Sequence, residues 1–554
     1  MNGFFCTVAG GEAPAPTAIR DRLAARLSTP GNRAAALEEG SFAAGASAEP
    51  NALRPLLSRR GALVGAGDVR LDNRAEVVSW SGERLEGAPD LEVVLAALAA
   101  RGPECLAGVL GDFALAVWDA RSRTLVAARD PFGVRTLFLT HERETLLLSS
   151  RLEALAREGE YDEEWVADFL LGGGAPPDRT VWAGVEAVPP GEVLTWRDGT
   201  LTRCRFWSAA DFAPVEAVDE AAATERFLEL FEEAVRVRME GGVPVWSQLS
   251  GGLDSSSVVS VAQALAAAGQ GPGIAGTVTI VETMGDGDER KYSDVVVRRW
   301  GLHNEQVVDN WAWQDDGMPP ERTDEPRSHY PFWARDRALA SRVREAGGRV
   351  LLSGQGSDHY LTGNWKLVTD LLATGRVLPA LRELVRFSVA ARKSFWTGLG
   401  RHGILPFLPT WVKLRQARPH EQLPGWLEDE FVRRLGVAER LPLIRTLAAP
   451  RRGSFFAHDV ASELERLPGF LERGPFQDGI EMRYPFLHRP LVEHSLRLLP
   501  SLRIRPEYGK HVLREAMRGG PSRGSTHAPG QGMDWHPTAL GVDPGAGATR
   551  RTAA

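Results

Sequence analysis

Ser250-Gly251-Gly252-Leu253-Asp254-Ser255-Ser256 lies between an apolar run over 243–249 and a stretch of helical character over 257–268. Strand, glycine turn and helix start, in that order, make a phosphate cradle. Two glycines let the backbone approach a ligand closely, and the first N–H groups of a helix have no intrahelical partner. The helix dipole favours an anion at the same place. No lysine follows the second glycine, so the pattern is not the Walker loop. Asp254 adds a carboxylate suited to holding Mg²⁺ against phosphate oxygens. The stretch is therefore read as an ATP pyrophosphate-binding loop. The plainer alternative is a Gly/Ser turn capped by Ser255.

Outward from this loop, strand-like segments at 243–249, 274–281 and 349–353 alternate with helical ones at 256–268, 291–300 and 335–346. That alternation predicts an α/β domain with a parallel sheet. Ligands of such sheets bind beyond the carboxyl ends of the strands. Leu351-Leu352-Ser353-Gly354-Gln355-Gly356-Ser357-Asp358 repeats the logic of the first loop, so both loops should open onto one crevice with Asp254 and Asp358 facing each other. Paired acids suit Mg²⁺, which keeps phosphate and water as its other ligands. A helix N-cap is the alternative role for Asp358, and Ser357 would serve it equally.

Residues 1–205 read differently, as short strands at 62–65, 111–119, 124–129 and 145–150 with a helix at 90–100. The pattern predicts an α+β domain of packed antiparallel sheets. From Pro189-Pro190-Gly191 to Trp207-Ser208 it turns irregular and is read as a connector, with a helix over 216–237 leading into the second domain. At 554 residues, 43% hydrophobic and 25% charged, the chain has material for two or three cores. A net charge of −7 asks for no nucleic-acid partner. No basic leader or membrane-spanning run is visible, so a cytoplasmic location is expected. The 3 cysteines, Cys6, Cys105 and Cys204, show neither disulfide nor metal spacing. Residues 371–420 hold 9 Arg/Lys against the single acid Glu383, with aromatic residues interleaved. The segment is read as a basic helical insertion, either simply solvated or facing a peptide. Residues 519–554, rich in Gly, Pro, Ser, Thr and Ala, are expected to form a disordered tail.

Two further runs, Gly479-Ile-Glu-Met-Arg-Tyr-Pro-Phe-Leu487 and Gly509-Lys510-His511-Val-Leu-Arg514, complete an ordered set with the two loops. Together they resemble the asparagine synthetase family over roughly 1–518. Arg70-Leu-Asp-Asn-Arg74, Gly111-Asp-Phe-Ala114 and Ala128-Arg-Asp-Pro-Phe-Gly-Val134 resemble its glutaminase domain. The resemblance implies an Ntn-hydrolase-like antiparallel sandwich over 1–205 and an ATP-pyrophosphatase domain over 206–518. It implies that Ser250, Gly251, Gly252, Asp254, Ser255 and Ser256 cradle pyrophosphate, and that Leu249, Ile280 and Gly354 hold AMP. Asp254 and Asp358 match the Mg²⁺ ligands, and Lys510 the catalytic lysine. Arg483 and Arg514 are charged neighbours without an assigned role.

The chain also departs from the family. Asn2 stands where glutamine-hydrolysing members carry the nucleophilic cysteine, Cys6 reads as a small buried hydrophobe, and the family's Arg-Gly-Pro-Asp motif is missing between Glu38 and Pro55. Gln355 replaces the usual glutamate, and His359 an acid, which disfavours free aspartate as substrate. An adenylating domain without its own ammonia needs an amine on the acceptor. β-Lactam synthetases and lasso-peptide macrocyclases, to which the chain is similar, work that way. The basic insertion favours the macrocyclase, with a peptide or amino-acid-derived substrate and, as partners, a leader-peptide-binding protein and a protease. Glutamine-dependent asparagine synthesis is the alternative, and a non-catalytic scaffold binding through 371–420 a further one.

Overall fold

The structure, a computed structural model, describes residues 2–11, 14–157, 159–171, 176–212, 214, 219–281, 289–308, 325–326, 332–361, 365–409, 411–413, 423–437, 453–471, 479–505 and 508–518. The expected tail at 519–554, the segment 414–420 of the basic insertion and residue 410 lie outside them. The chain divides into two compact units. Met1–Ser208, Pro319–Tyr330 and Glu465–Gly479 form the first; Ala209–Met318, Pro331–Leu464 and Ile480–Ala554 form the second.

The first unit carries β1 (Gly3–Ala9), β2 (Arg33–Glu39), β3 (Phe42–Ala48), β4 (Leu57–Arg60), β5 (Leu63–Leu71), β6 (Gly111–Asp119), β7 (Thr124–Arg129), β8 (Phe138–Glu142), β9 (Thr145–Ser149), β10 (Glu186–Ala187), β11 (Glu192–Arg197) and β12 (Thr200–Arg205). They form two six-stranded antiparallel sheets, in order β10-β8-β9-β1-β3-β2 and β12-β11-β7-β6-β5-β4. Period-two alternation sorts the side chains. Phe4, Cys6 and Val8 of β1 join Ala114, Ala116 and Trp118 of β6 in the core between the sheets. Phe5 points the other way, to Leu23 and Leu27 of the helix Thr17–Leu27. On the far sheet, Phe113, Leu115 and Val117 pack against the helix Asp90–Arg101 through Val94, Leu95 and Leu98. The result is a four-layer sandwich with helices outside and sheets within, the expected antiparallel α+β class.

One sequence expectation fails here. The segment expected as a connector before Trp207 contains the hairpin β11–β12, paired from Glu192↔Arg205 to Arg197↔Thr200. β12 is an edge strand with Arg203, Cys204 and Arg205 exposed. An exposed, charged edge lacks the apolar alternation that announces a half-buried strand.

The second unit contains β13 (Val245–Gln248), β14 (Gly276–Val281), β15 (Asn304–Val308), β16 (Val350–Leu352) and β17 (Glu481–Arg483), all parallel, in order β15-β14-β13-β16-β17. β13 is central and its residues 245–247 are buried. The crossover helix Leu253–Ala267 buries Val258, Val259, Val261, Ala262 and Leu265. It starts at Leu253 rather than at residue 256, so the glycine loop enters its first turn directly. The basic segment is helical where described, at Lys366–Ala373, Val377–Ala390 and Phe395–Gly398, and Ala380, Leu384 and Phe387 form a buried face. No helix among the described residues is long and apolar enough to cross a membrane.

Candidate active site

Because β13 and β16 are parallel neighbours in register from Val245↔Val350 to Ser247↔Leu352, the loops that follow them emerge side by side. Their contact demands glycine. A Cβ on Gly354 would stand 2.8 Å from Ser255 N and 3.0 Å from Asp254 Cβ. Gly251 has φ 83°, and a Cβ there would meet Glu289 O at 2.7 Å. Only glycine occupies that left-handed state without strain.

Within the first loop, Ser255 is a brace. Its Oγ accepts from Ser250 N at 3.1 Å and lies 3.1 Å from Ser250 Oγ, which in turn accepts from Gly252 N at 3.2 Å. Ser256 N bonds Gly252 O at 3.1 Å, the first closed turn of the helix. Leu249 is buried; its N–H donates to Val278 O at 2.9 Å and its carbonyl accepts from Thr279 Oγ1 at 2.9 Å. Ile280 lies near the carboxyl end of β14, beside this loop. Thus Leu249, Ser250, Gly251, Gly252, Asp254, Ser255, Ser256, Ile280 and Gly354 all occupy the carboxyl edge of the sheet.

Lys510 completes the site. Its Nζ contacts Asp254 Oδ2 and lies 2.8 Å from Asp358 Oδ1. Burial alone would lower the Lys510 pKa, but the attraction of both carboxylates outweighs it and holds the ammonium charged above its usual range. Burial pushes the Asp254 carboxyl up, and the Lys510 charge opposes that rise. Among the described residues Asp254 Oδ1 is buried without a hydrogen-bond partner, whereas the Asp358 side chain is 74% exposed. One acid is thus fixed in the wall while the other faces solvent. No cluster of three or more His, Cys, Asp or Glu side chains suited to a metal exists among the described residues. Two carboxylates within reach of one cation, one with an open oxygen, nevertheless suit a hard ion that draws its remaining ligands from phosphate and water.

The two candidate arginines divide. Arg483 is a structural clamp: Nη1 donates to Arg238 O and Glu240 O, both at 2.7 Å, capping the carboxyl end of the helix Glu220–Met239. Arg514 donates from Nε to Gly509 O at 3.1 Å and lies over the Tyr508 ring at 5.6 Å. In the first unit, Cys6 is buried at 0% exposure, and burial drives its thiol pKa far up. Asn2 Oδ1 accepts from Glu49 N at 2.8 Å. Arg70 ties Asp72 at 2.6 Å and Asp112 at 2.8 Å in a buried trio, so part of the first motif is structural. Sequence reasoning missed Glu220 and His511, which pair next to Lys510 at 2.7 Å. The histidine stood in a quoted motif, but nothing in the pattern joined it to residue 220.

A family model described as "Asparagine synthase" matches residues 226–523, more than half of the chain, and one described as "Glutamine amidotransferase domain" matches 66–207. "Asparagine synthetase (glutamine-hydrolyzing) 3" of Bacillus subtilis is 31% identical over 207 residues, covering 36% of this chain and 33% of that relative. "Amidase chyE" of Penicillium rubens is 24% identical over 483 residues, covering 78% of this chain and 70% of its own length. "Amidase chry2" of Gibberella zeae is 25% identical over 495 residues, with 78% and 70% covered. The match thus spans a third of the Bacillus protein and about two thirds of the fungal ones. The first family model takes in both loops, both aspartates and Lys510, and the chain belongs to the asparagine synthetase family.

Proposed function

We propose that this chain is an AMP-forming amide ligase whose amine comes from the acceptor molecule, the narrowest reading being lasso-peptide macrocyclisation. The observation that carries the proposal is the single ammonium of Lys510 shared by Asp254 and Asp358 at the mouth of a glycine-serine loop. A substrate carboxylate oxygen attacks the α-phosphorus of ATP, and the bond to the β-phosphate oxygen breaks. Pyrophosphate leaves into the cradle of residues 250–256. Mg²⁺, held by Asp254 and Asp358, would neutralise the triphosphate oxygens. Lys510 stabilises charge first on the phosphorus oxygens and then on the acyl oxygen as the amine adds. AMP departs, the nitrogen loses a proton to solvent, and an amide remains. With amine and activated acid on one peptide, ring closure is effectively unimolecular, which can offset several kcal/mol of barrier.

The first unit supports this choice of amine. Its cysteine nearest the start of β1 is locked in the core as a neutral thiol, and Asn2 offers an amide that cannot form a thioester. The name of the Bacillus relative favours the second reading, glutamine-dependent asparagine synthesis. Incubation of the protein with ATP, Mg²⁺ and either candidate peptides or aspartate with glutamine separates them. Peptide-dependent AMP and pyrophosphate, with a peptide product lighter by one water, is expected. ADP as the nucleotide product overturns the acyl-adenylate reading, and glutamate release from glutamine moves the assignment to the second one.

A further inference from the structure

We infer that His511, held by Glu220, is a positioning residue that keeps Lys510 aimed at the two aspartates; the inference rests on the role proposed above for Lys510. Lys510 has φ 57°, a left-handed conformation uncommon for a residue with a side chain. Such a state persists where the surroundings over-determine it. Lys510 is also where the helix His511–Arg518 begins, since its carbonyl accepts from Arg514 N at 3.0 Å.

Both neighbours of Lys510 are fastened, Gly509 from the helix it precedes and His511 from another helix. Gly509 O is held by Arg514 Nε at 3.1 Å. His511 is 5% exposed, and its Nε2 lies 2.7 Å from Oε1 of Glu220, the first residue of the helix Glu220–Met239. Arg505 Nη2 reaches the two Glu220 oxygens at 3.2 and 3.3 Å, and stands 3.2 Å from His511 Nε2. On the ring's other side, Nδ1 is 3.7 Å from Glu515 Oε1, and the Tyr508 ring centre is 5.7 Å away. The imidazole therefore bridges the first turn of one helix and the first turn of another, 291 residues apart in sequence. No hydrogen bond or ion pair joins it to Asp254 or Asp358 among the described residues, so its effect passes through the backbone of Lys510. Without the strut, the left-handed turn can relax to an ordinary conformation, and a four-carbon side chain hinged there swings away from the acids.

The experiment reads the position of Lys510 without needing the substrate: Mn²⁺ binding to nucleotide-free protein, followed by electron paramagnetic resonance. Lys510→Met removes the resident cation, and affinity should rise by about tenfold or more, the size of effect one neighbouring charge has on an ionisation. His511→Asn, too short to reach Glu220, should give the same rise, and the double variant no more than Lys510→Met alone. His511→Gln, whose amide nitrogen reaches the place of Nε2, should return the wild-type value, which a merely destabilising change would not allow. Glu220→Ala, which removes the acceptor outright, tests the strut from its other end and should raise affinity as His511→Asn does, even if the latter folds poorly. Wild-type affinity in both His511→Asn and Glu220→Ala, beside a rise in Lys510→Met, overturns the strut. No rise in Lys510→Met overturns instead the role given to Lys510.

Discussion

Lys510 Nζ and Asp358 Oδ1 stand 2.8 Å apart while the same nitrogen contacts Asp254, a residue 256 positions earlier in the chain. Two acids and one base from three separate segments thus meet at the carboxyl edge of one sheet. Loss of Lys510 as Lys510→Met should lower the rate of pyrophosphate release by about 10²–10³-fold, the usual scale for one preorganised stabilising group. The nucleotide dissociation constant should move far less. Equal losses in rate and in affinity, measured by single-turnover kinetics and nucleotide titration, would place Lys510 in binding rather than in the chemical step.

The packing of Gly354 on Asp254 and Ser255 gives a second expectation. Gly354→Ala inserts a methyl group 2.8 Å from Ser255 N, so one loop must retreat from the other. The strand core below is untouched, and the melting temperature should fall by a few degrees at most. Mg·ATP affinity should drop about tenfold or more, a loss of roughly 1.4 kcal/mol per factor of ten. Calorimetric titration checks this, and unchanged affinity would show that the two loops need not touch to hold nucleotide.

The cysteines should differ sharply toward a thiol reagent. Cys204 on the exposed edge strand β12 should react at once. Half-buried Cys105, whose pKa burial raises to about 11, should react slowly. Cys6 should react only after denaturation, because its thiol is buried in the sandwich core. Mass spectrometry of timed labelling reads all three, and rapid native labelling of Cys6 would reopen it as a nucleophile.

A buried carboxyl and a half-buried imidazole give opposite pH dependences. Burial, reinforced by Asp112, raises the Asp130 pKa from 3.8 to about 6 even though its carboxylate accepts N–H bonds from Phe132, Val134 and Arg135. Between about pH 4 and 6 the folded first unit holds a proton that the unfolded chain has released, so stability from this group falls as pH rises. The effect is about 3 kcal/mol at most. His402, stacked on Trp365 at 5.0 Å, is lowered from 6.5 to about 4, chiefly by burial. There the unfolded chain binds the proton first, and stability is lost as pH falls below about 6.5. Urea midpoints at several pH values should show Asp130→Asn removing the falling limb and His402→Gln the rising one. Either slope with reversed sign contradicts the assignment.

Legibility in the sequence followed burial. β6 and β7 coincide with the apolar runs read at 111–119 and 124–129, because both strands are buried nearly throughout. β12 was missed for the opposite reason. β15 is half polar, and β17 has three residues, so neither carried a period long enough to register. Both glycine-serine loops were visible because glycine, serine and aspartate at strand ends have few structural uses in that order. Lys510 entered only through the family resemblance, since its left-handed turn and its reach to Asp254 are products of tertiary packing. The Glu220–His511 pair has no sequence signal at all; it arises because two helix starts converge.

The most direct test of the central claim is calorimetric titration of Mg·ATP into the wild-type protein, Asp254→Ala and Asp358→Ala. Binding by the wild type, with a loss of tenfold or more in each variant, is the predicted result. Equal heats and equal affinities in all three, or no binding by the wild type, would contradict a nucleotide held between these two acids and leave the fold as a scaffold.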